Sequence, residues 1–244
     1  YIVCTYGMEI ATWSKNARVR TQLETVLKHA DAVLYINEQT KQELLTLGAT
    51  EENLVAFYPG IDIKQLSAMN NPTNVLKTYG ITKPYVLSVA RLIKRKGIDD
   101  LVKAFARASV ENTQLVIVGD GPERASLEHT AKDLGAPVHF LGHIPDEDLH
   151  ALYAHADIFA LTPKELPGDY EGFGIVYIEA GFFGVPVIGT RTGGVTGAVQ
   201  DGVTGLLAEP TDVPSIQDAL HKLLKDPTIA KQYGQAGKQR VEQE

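Results

Sequence analysis

From Tyr85 onward the sequence alternates short, β-rich apolar runs with amphipathic segments, and no other feature restricts the fold as tightly. The runs are YVLSVA (85–90), QLVIVG (114–119), VHFLG (138–142), DIFALT (157–162), PVIGT (186–190) and TGLLA (204–208). Between them lie the helical patterns IDDLVKAFARA, ERASLEHTAKDLG, DEDLHALYAHA and IVYIEAGFFG, and after the last run come SIQDALHKLLKD and a further polar helix. Such alternation reads as successive βα units, so the fold class is α/β, a doubly wound parallel sheet with helices on both faces. Gly135 and Gly184 stand just past helical patterns, and Pro186 opens the next strand.

Residues 1–63 use the same alphabet: strands IVCT, AVLYI and NLVAFY around helices ARVRTQLETVLKHA and EQTKQELLTLG. PGID then leads into the polar stretch NNPT, and a domain boundary is expected near Ile63, giving domains 1–63 and 64–244. A doubly wound domain usually has about five or six strands, so the first region looks like the back half of a larger unit. The chain opens at Tyr1 inside an apolar run and closes within KQRVEQE, which leads to the expectation of a fragment or processed chain.

At 244 residues and 44% hydrophobic content there is material for one large or two modest cores. The net charge of -7 argues against nucleic acid as the main partner, so any phosphate site must be local. A single cysteine, Cys4, allows no internal disulfide and suits a reducing, cytoplasmic setting. The apolar run GIVYIEAGFFGVPVIG is broken by Glu179 and glycines, short of a membrane span. The segment ATWSKNARVRTQLETVLKHA sets Trp13 beside Lys15, Arg18 and Arg20, a face that could meet anionic lipid; the competing reading is an ordinary surface helix.

In open parallel sheets ligands bind beyond the carboxyl ends of the strands. After YVLSVA comes RLIKRKG, where Arg91, Lys94, Arg95 and Lys96 crowd ahead of Gly97 at a helix start. This is a candidate anion site, reinforced by the helix N-terminus, against the plain alternative of a solvated basic turn. In GDGPERASL, Gly119 and Gly121 permit a tight turn, but Arg124 breaks the dinucleotide fingerprint, and a structural turn serves equally well. Asp146-Glu147-Asp148 resembles a metal-binding DxD but follows Pro145 at a helix start, where capping is the better account. No histidine, cysteine or acid cluster has convincing metal spacing. In EGFGIVYIEA, Glu171 belongs to a loop and Glu179 lies about one turn inside a helix that starts near Ile175. A carboxylate accepts well from the vicinal diol of a sugar or ribose, and an unpaired acid among Ile175, Val176, Ile178, Phe182 and Phe183 would be costly.

Taken together, RLIKRKG, VGDGP, FLGHIPDEDL, EGFGIVYIEA, GVPVIGTRTGG and DGVTGLL, in this order, resemble the C-terminal domain of retaining GT-B glycosyltransferases of family 4, the glycosyl transferases group 1. The likeness covers nearly all of residues 80–240, the first region is similar to the later part of the family's N-terminal domain, and the loop KELPGDYEGFGIVYIEA is similar to bacterial phosphatidylinositol mannosyltransferases. It implies a GT-B fold: a Rossmann-like donor-binding domain preceded by a partial Rossmann-like acceptor-side domain. By position, the resemblance assigns Arg91 and Lys96 to the donor diphosphate, Glu171 to the donor sugar and Glu179 to the ribose hydroxyls. Phe173, Gly174, Ile175 and Val176 would offer backbone to sugar and phosphate, while Gly142, His143 and Ile144 fall where the nucleobase is held, with Gly119 nearby. Where the family commonly has His-Gly, this chain reads Tyr6-Gly7-Met8-Glu9, which makes Tyr6, Gly7 and Glu9 the acceptor-side candidates; Gly197 stands where a Glu is common.

The implied activity is transfer of a hexose such as mannose, from a GDP- or UDP-hexose to a glycan or lipid acceptor, with retention and without cofactor or metal. Fixed cations and helix-end N–H groups can stabilise the leaving diphosphate unaided. Two rivals stand beside it: a module that holds nucleotide sugar without transferring it, and a GT-B sugar-nucleotide epimerase. The expected setting is cytoplasmic or membrane-peripheral.

Overall fold

A computed structural model describes residues 1–68, 74–167 and 169–243, so the NNPT stretch at 70–73 lies outside the described residues. The first region contains β1 (Ile2–Cys4), α1 (Met8–Trp13), α2 (Ala17–His29), β2 (Ala32–Tyr35), α3 (Glu38–Thr46) and β3 (Leu54–Ala56). Its strands form a parallel sheet in the order β1-β2-β3. Ile10, Leu27, Ala30, Val33, Leu44, Leu47 and Ala49 make a separate buried cluster beside it. Two short helices follow, α4 (Ile63–Ala68) and α5 (Val75–Thr78), so Ile63, the expected division point, opens a helix.

The second region runs β4 (Tyr85–Val89), α6 (Ile98–Ala108), β5 (Gln114–Val118), α7 (Arg124–Asp133), β6 (Val138–Gly142), α8 (Asp146–His155) and β7 (Ile158–Ala160). It continues with α9 (Ile175–Phe182), β8 (Val187–Thr190), α10 (Val195–Ala198), β9 (Gly205–Ala208), α11 (Val213–Lys225) and α12 (Pro227–Gln243). All six strands are parallel, in the order β6-β5-β4-β7-β8-β9. Numbered by their own chain order they read 3-2-1-4-5-6, the doubly wound arrangement whose ligand crevice opens where the order reverses. Here that point lies between β4 and β7, so the loops 90–97 and 161–174 flank it. The strands read as continuous apolar runs because helices cover both faces: Tyr85, Val86, Leu87, Leu115, Val116, Ile117, Phe159 and Ile188 are all buried. The buried Tyr85 hydroxyl finds a partner in the Leu152 carbonyl.

The structure corrects three expectations. Trp13 ends α1 and does not share a helix with Arg18 and Arg20, because the Asn16 side chain accepts from the Arg18 and Val19 amides and starts α2 anew. Asp146, Glu147 and Asp148 occupy the first turn of α8, where they suit the dipole, but none caps it by a side-chain hydrogen bond. Asp148 instead accepts from the Tyr79 hydroxyl at 2.7 Å. Helix α11 begins at Val213, two residues ahead of SIQD, since Asp212 accepts from the Ser215 amide and Pro214 fits the first turn.

Helix α12 closes the fold against α9. Gly234 makes that approach possible: a Cβ there would lie 2.0 Å from the Gly184 carbonyl oxygen. The helix that carries Glu179 is thereby backed along its outer side.

Candidate functional site

The basic turn after β4 is a 3-10 turn over Lys94–Lys96, closed by Gly97, which also precedes α6. With three residues per turn, successive side chains diverge. Lys94 stays exposed, while Arg95 and Lys96 are largely buried and converge on one carboxylate. Lys96 Nζ lies 2.6 Å and Arg95 Nη1 2.8 Å from the same Oε2 of Glu171. Asp169 Oδ1 sits 2.7 Å from Arg95 Nε but off the N–H direction, so that pair is a charge contact and not a hydrogen bond. The turn is pinned from behind: the Lys164 amide donates to the Arg95 carbonyl at 2.7 Å, and the Lys164 ammonium pairs with Asp99 and Asp100.

Lys96 and Glu171, assigned to diphosphate and sugar, are thus in direct contact, whereas Arg91 is exposed and makes no side-chain hydrogen bond or ion pair with a described residue. Glu179 lies apart from them on α9, half-buried, with its Oε2 accepting from the Tyr153 hydroxyl at 3.0 Å. Burial pushes the Glu179 carboxyl above its ordinary range, and the Tyr153 hydrogen bond partly opposes this.

Between the two acids Gly174 precedes α9 without any side-chain cap, so the first amides of the helix remain available to an anion. Ile175 is exposed there, Val176 is half-buried, and Phe173 is buried with its ring 6.0 Å from that of Tyr58. The loop is held by the next one: the Gly194 amide donates to the Glu171 carbonyl at 2.8 Å. A Cβ at Gly194 would lie 1.9 Å from the Gly172 oxygen, which explains why this position is glycine. Gly197, where a Glu is common in the resembling family, accepts through its carbonyl from Arg240 at 2.9 Å.

At the end of β6, Gly142 accepts from the Gly119 amide at 2.8 Å, His143 is exposed, and Ile144 packs on the core. Arg124, whose presence breaks the dinucleotide fingerprint, ties this corner together by pairing with Asp120 at 3.0 Å and donating to the Phe140 carbonyl at 3.2 Å. In the first region, among the residues expected on the acceptor side, Glu9 accepts from the Tyr6 and Gly7 amides and so closes its own loop, leaving Tyr6 exposed. This loop does reach the donor loop, since a Cβ on Gly172 would lie 3.5 Å from the Tyr6 carbonyl oxygen.

Sequence reasoning did not single out Tyr153, Tyr170 or Asn37, and it placed Arg95 in the candidate anion site without a role of its own. Arg95 stood in a quoted basic run, but nothing in the run says which cation folds inward. Tyr170 donates to Glu43 at 3.0 Å and Asn37 to the Gly172 carbonyl at 2.5 Å, contacts over sequence separations of 127 and 135 that no local pattern encodes. Among the described residues no group of three or more His, Cys, Asp or Glu is placed to hold a metal, and no helix is long and apolar enough to cross a membrane.

The profile of the family "Glycosyl transferases group 1" matches residues 77–240. The chain is 37% identical over 245 residues to the GDP-mannose-dependent alpha-(1-6)-phosphatidylinositol monomannoside mannosyltransferase of Mycolicibacterium smegmatis, covering 97% of this chain and 64% of that enzyme. It is 34% identical over 251 residues to the GDP-mannose-dependent monoacylated alpha-(1-6)-phosphatidylinositol monomannoside mannosyltransferase of Corynebacterium glutamicum, covering 100% and 65%. The chain therefore spans just under two thirds of the length of these relatives. Among solved structures, sucrose-phosphate synthase from Thermosynechococcus elongatus superposes with a TM-score of 0.80 at 27% identity, over 99% of this chain and 62% of that one. The two parallel sheets have the Rossmann-like character of GT-B glycosyltransferases. With the family profile covering the whole six-stranded region and mannosyltransferases aligned from end to end, the chain belongs to the glycosyl transferases group 1 family.

Proposed function

We propose that this chain supplies the donor domain, residues 64–244, and part of the acceptor-side domain, residues 1–63, of a retaining hexosyltransferase that uses GDP-mannose without a metal. One observation carries the reading: at the switch point of the parallel sheet, the loop after β4 turns Arg95 and Lys96 onto Glu171, and the loop after β7 leads into α9, whose N-terminus has no side-chain cap and which carries Glu179. The choice of GDP-mannose rests on the donor named for the mycobacterial and corynebacterial relatives.

In this reading Glu179 accepts from the ribose diol with the oxygen that Tyr153 leaves open. Arg91, Lys96 and the α9 amides receive the charge that grows on the diphosphate. The bond from the anomeric carbon to the phosphate oxygen breaks with its electron pair on the diphosphate. The acceptor hydroxyl oxygen bonds to the same face of that carbon, and its proton passes to the departing phosphate oxygen. Loss of one charge-stabilising donor raises such barriers by about 3 to 4 kcal/mol, so Arg91→Ala is expected to depress both nucleotide-sugar affinity and turnover.

Calorimetry with GDP, UDP and ADP, with and without the matching hexose and in the presence of EDTA, tests the reading. Binding of GDP-mannose in EDTA supports it, and binding of none of the nucleotides removes it. A second reading, a donor-holding module, is favoured by the Glu9 carboxylate being engaged in its own loop on the acceptor side. A GDP-mannose-dependent thermal shift with neither transfer nor donor hydrolysis selects it.

The proposed setting is the cytoplasmic face of a membrane. Exposed Trp13, Lys15 and Arg18 support peripheral contact even though they sit on separate segments. Absence of co-flotation with anionic vesicles excludes that contact.

A further inference from the structure

The donor loop is gripped from the acceptor-side sheet, and the grip centres on one side chain. Asn37 follows β2 and is 5% exposed. Its Oδ1 accepts from the Thr40 amide at 2.8 Å, which starts α3. With the oxygen so engaged, the amide orientation is fixed, and Nδ2 faces the Gly172 carbonyl at 2.5 Å. Around this bond the fit is close: a Cβ on Gly172 would come within 3.2 Å of the Ile36 side chain. Nearby, the Tyr170 hydroxyl donates to Glu43 of α3 at 3.0 Å.

Gly172 lies between the two groups assigned to the sugar, the Glu171 carboxylate and the Phe173-Gly174 backbone. Its carbonyl orientation fixes the peptide plane linking Gly172 to Phe173. The Glu171 carbonyl on the other side is held by the Gly194 amide. The loop is thus anchored from both regions: the Gly194 amide holds the Glu171 carbonyl, while the first region holds Tyr170 through Glu43 and the Gly172 carbonyl through Asn37, the one of these contacts made to the backbone between Glu171 and Phe173.

We propose that Asn37 is a positioning residue for the donor sugar: it acts through the Gly172 carbonyl to set the Glu171 loop, so that hexose recognition depends on the acceptor-side domain being docked. This rests on the donor-site reading above. In that reading the nucleoside and diphosphate are met at the ends of β4 and β6 and at the start of α9, none of which Asn37 hydrogen-bonds, so the two parts of the donor are expected to respond differently to its loss.

The test compares GDP with GDP-mannose by calorimetry on the native chain, Asn37→Ser and Asn37→Asp. Both substitutions keep an oxygen able to cap α3; Asp replaces the donor facing Gly172 with an acceptor, and the Ser hydroxyl ends one atom short of the Asn37 Nδ2 position. A net hydrogen bond of this type is worth about a factor of three to ten in binding. The expected result is unchanged GDP affinity with the extra affinity for GDP-mannose reduced by about that factor. A double-mutant cycle with Glu171→Gln is expected to be non-additive, because Asn37 acts through the Glu171 loop. Equal loss for GDP and GDP-mannose, or no loss for either, overturns the proposal. If Asn37→Ser does not fold, Asn37→Asp and its cycle decide the question alone. Failure of the native chain to bind GDP at all removes the donor-site reading instead, so the two failures are distinguishable.

Discussion

Glu179 answers to two opposed demands. In its proposed role it accepts best from a diol when ionised, yet burial pushes its pKa above the ordinary 4.5, with Tyr153 opposing. For an acid raised in the folded state, the native protein binds the extra proton between 4.5 and the raised value. This group therefore favours folding most below 4.5, and that support is lost as pH climbs through the raised value. Glu179→Gln is expected to raise the melting temperature at pH 7, by about 2 to 4 °C per kcal/mol released, with the gain closing as pH falls through the raised value and gone below 4.5. Nucleotide affinity is expected to fall in the same variant, because a neutral amide is a weaker acceptor than a carboxylate. Thermal scans across pH, paired with GDP calorimetry, check both halves; a lower melting temperature at pH 7 contradicts the first. Both glutamates were legible in a ten-residue stretch because two acids beside glycines and a buried helical face demand partners. The partners themselves were not legible: Tyr153 reaches Glu179 from another helix 26 residues away.

At the scale of elements, the helix pair α9 and α12 decides how firmly the crevice is built. In a solvent-exposed helix Gly→Ala stabilises by about 1 kcal/mol. Gly234→Ala is expected to do the reverse, losing about 1 to 3 kcal/mol by overpacking, because its Cβ would lie 2.0 Å from the Gly184 oxygen. Urea unfolding gives the sign directly, and a stabilised variant would show that the helices part freely. The strands and most helices were readable from periodicity, since a parallel sheet buried on both faces writes itself as uniform apolar runs. Helix α12 was readable only as a polar segment, because its glycine contact belongs to packing and leaves no periodic mark. The start of α2 at Ala17 was readable, but α1 was not, and Asn16 as a cap was not, because an Asn caps only if the chain turns there.

For the whole molecule, the two buried clusters are unequal. Among the described residues, seven buried apolar side chains cluster beside the three-stranded sheet, whereas the six-stranded sheet has a continuous core running from Val75 to Ala230. Residues 64–244 produced alone are expected to melt cooperatively and bind GDP, and residues 1–63 alone to show no cooperative transition, since so small a core is marginal at best. Circular dichroism melts of both pieces check this, and a sharp transition in residues 1–63 contradicts it. The six parallel strands, and the expectation of a ligand beyond their carboxyl ends, followed from the βα alternation, whereas the order of the strands is known only from the structure. The docking of one sheet on the other did not, because Asn37 and Tyr170 act over distances that the sequence does not record locally. The pairing of Lys96 and Arg95 with Glu171 has a consequence at this scale too. An open cationic site gathers mobile counter-ions, which an arriving anion must release; here the protein carries its own, tethered and shielded from solvent. In the proposed reading the donor diphosphate takes the place of a carboxylate beside Lys96 and Arg95, not of chloride. Its affinity is therefore expected to fall little between about 50 mM and 300 mM NaCl, a range over which exposed charges are strongly screened, and a steep decline measured by GDP titration would show that the site is neutralised from outside.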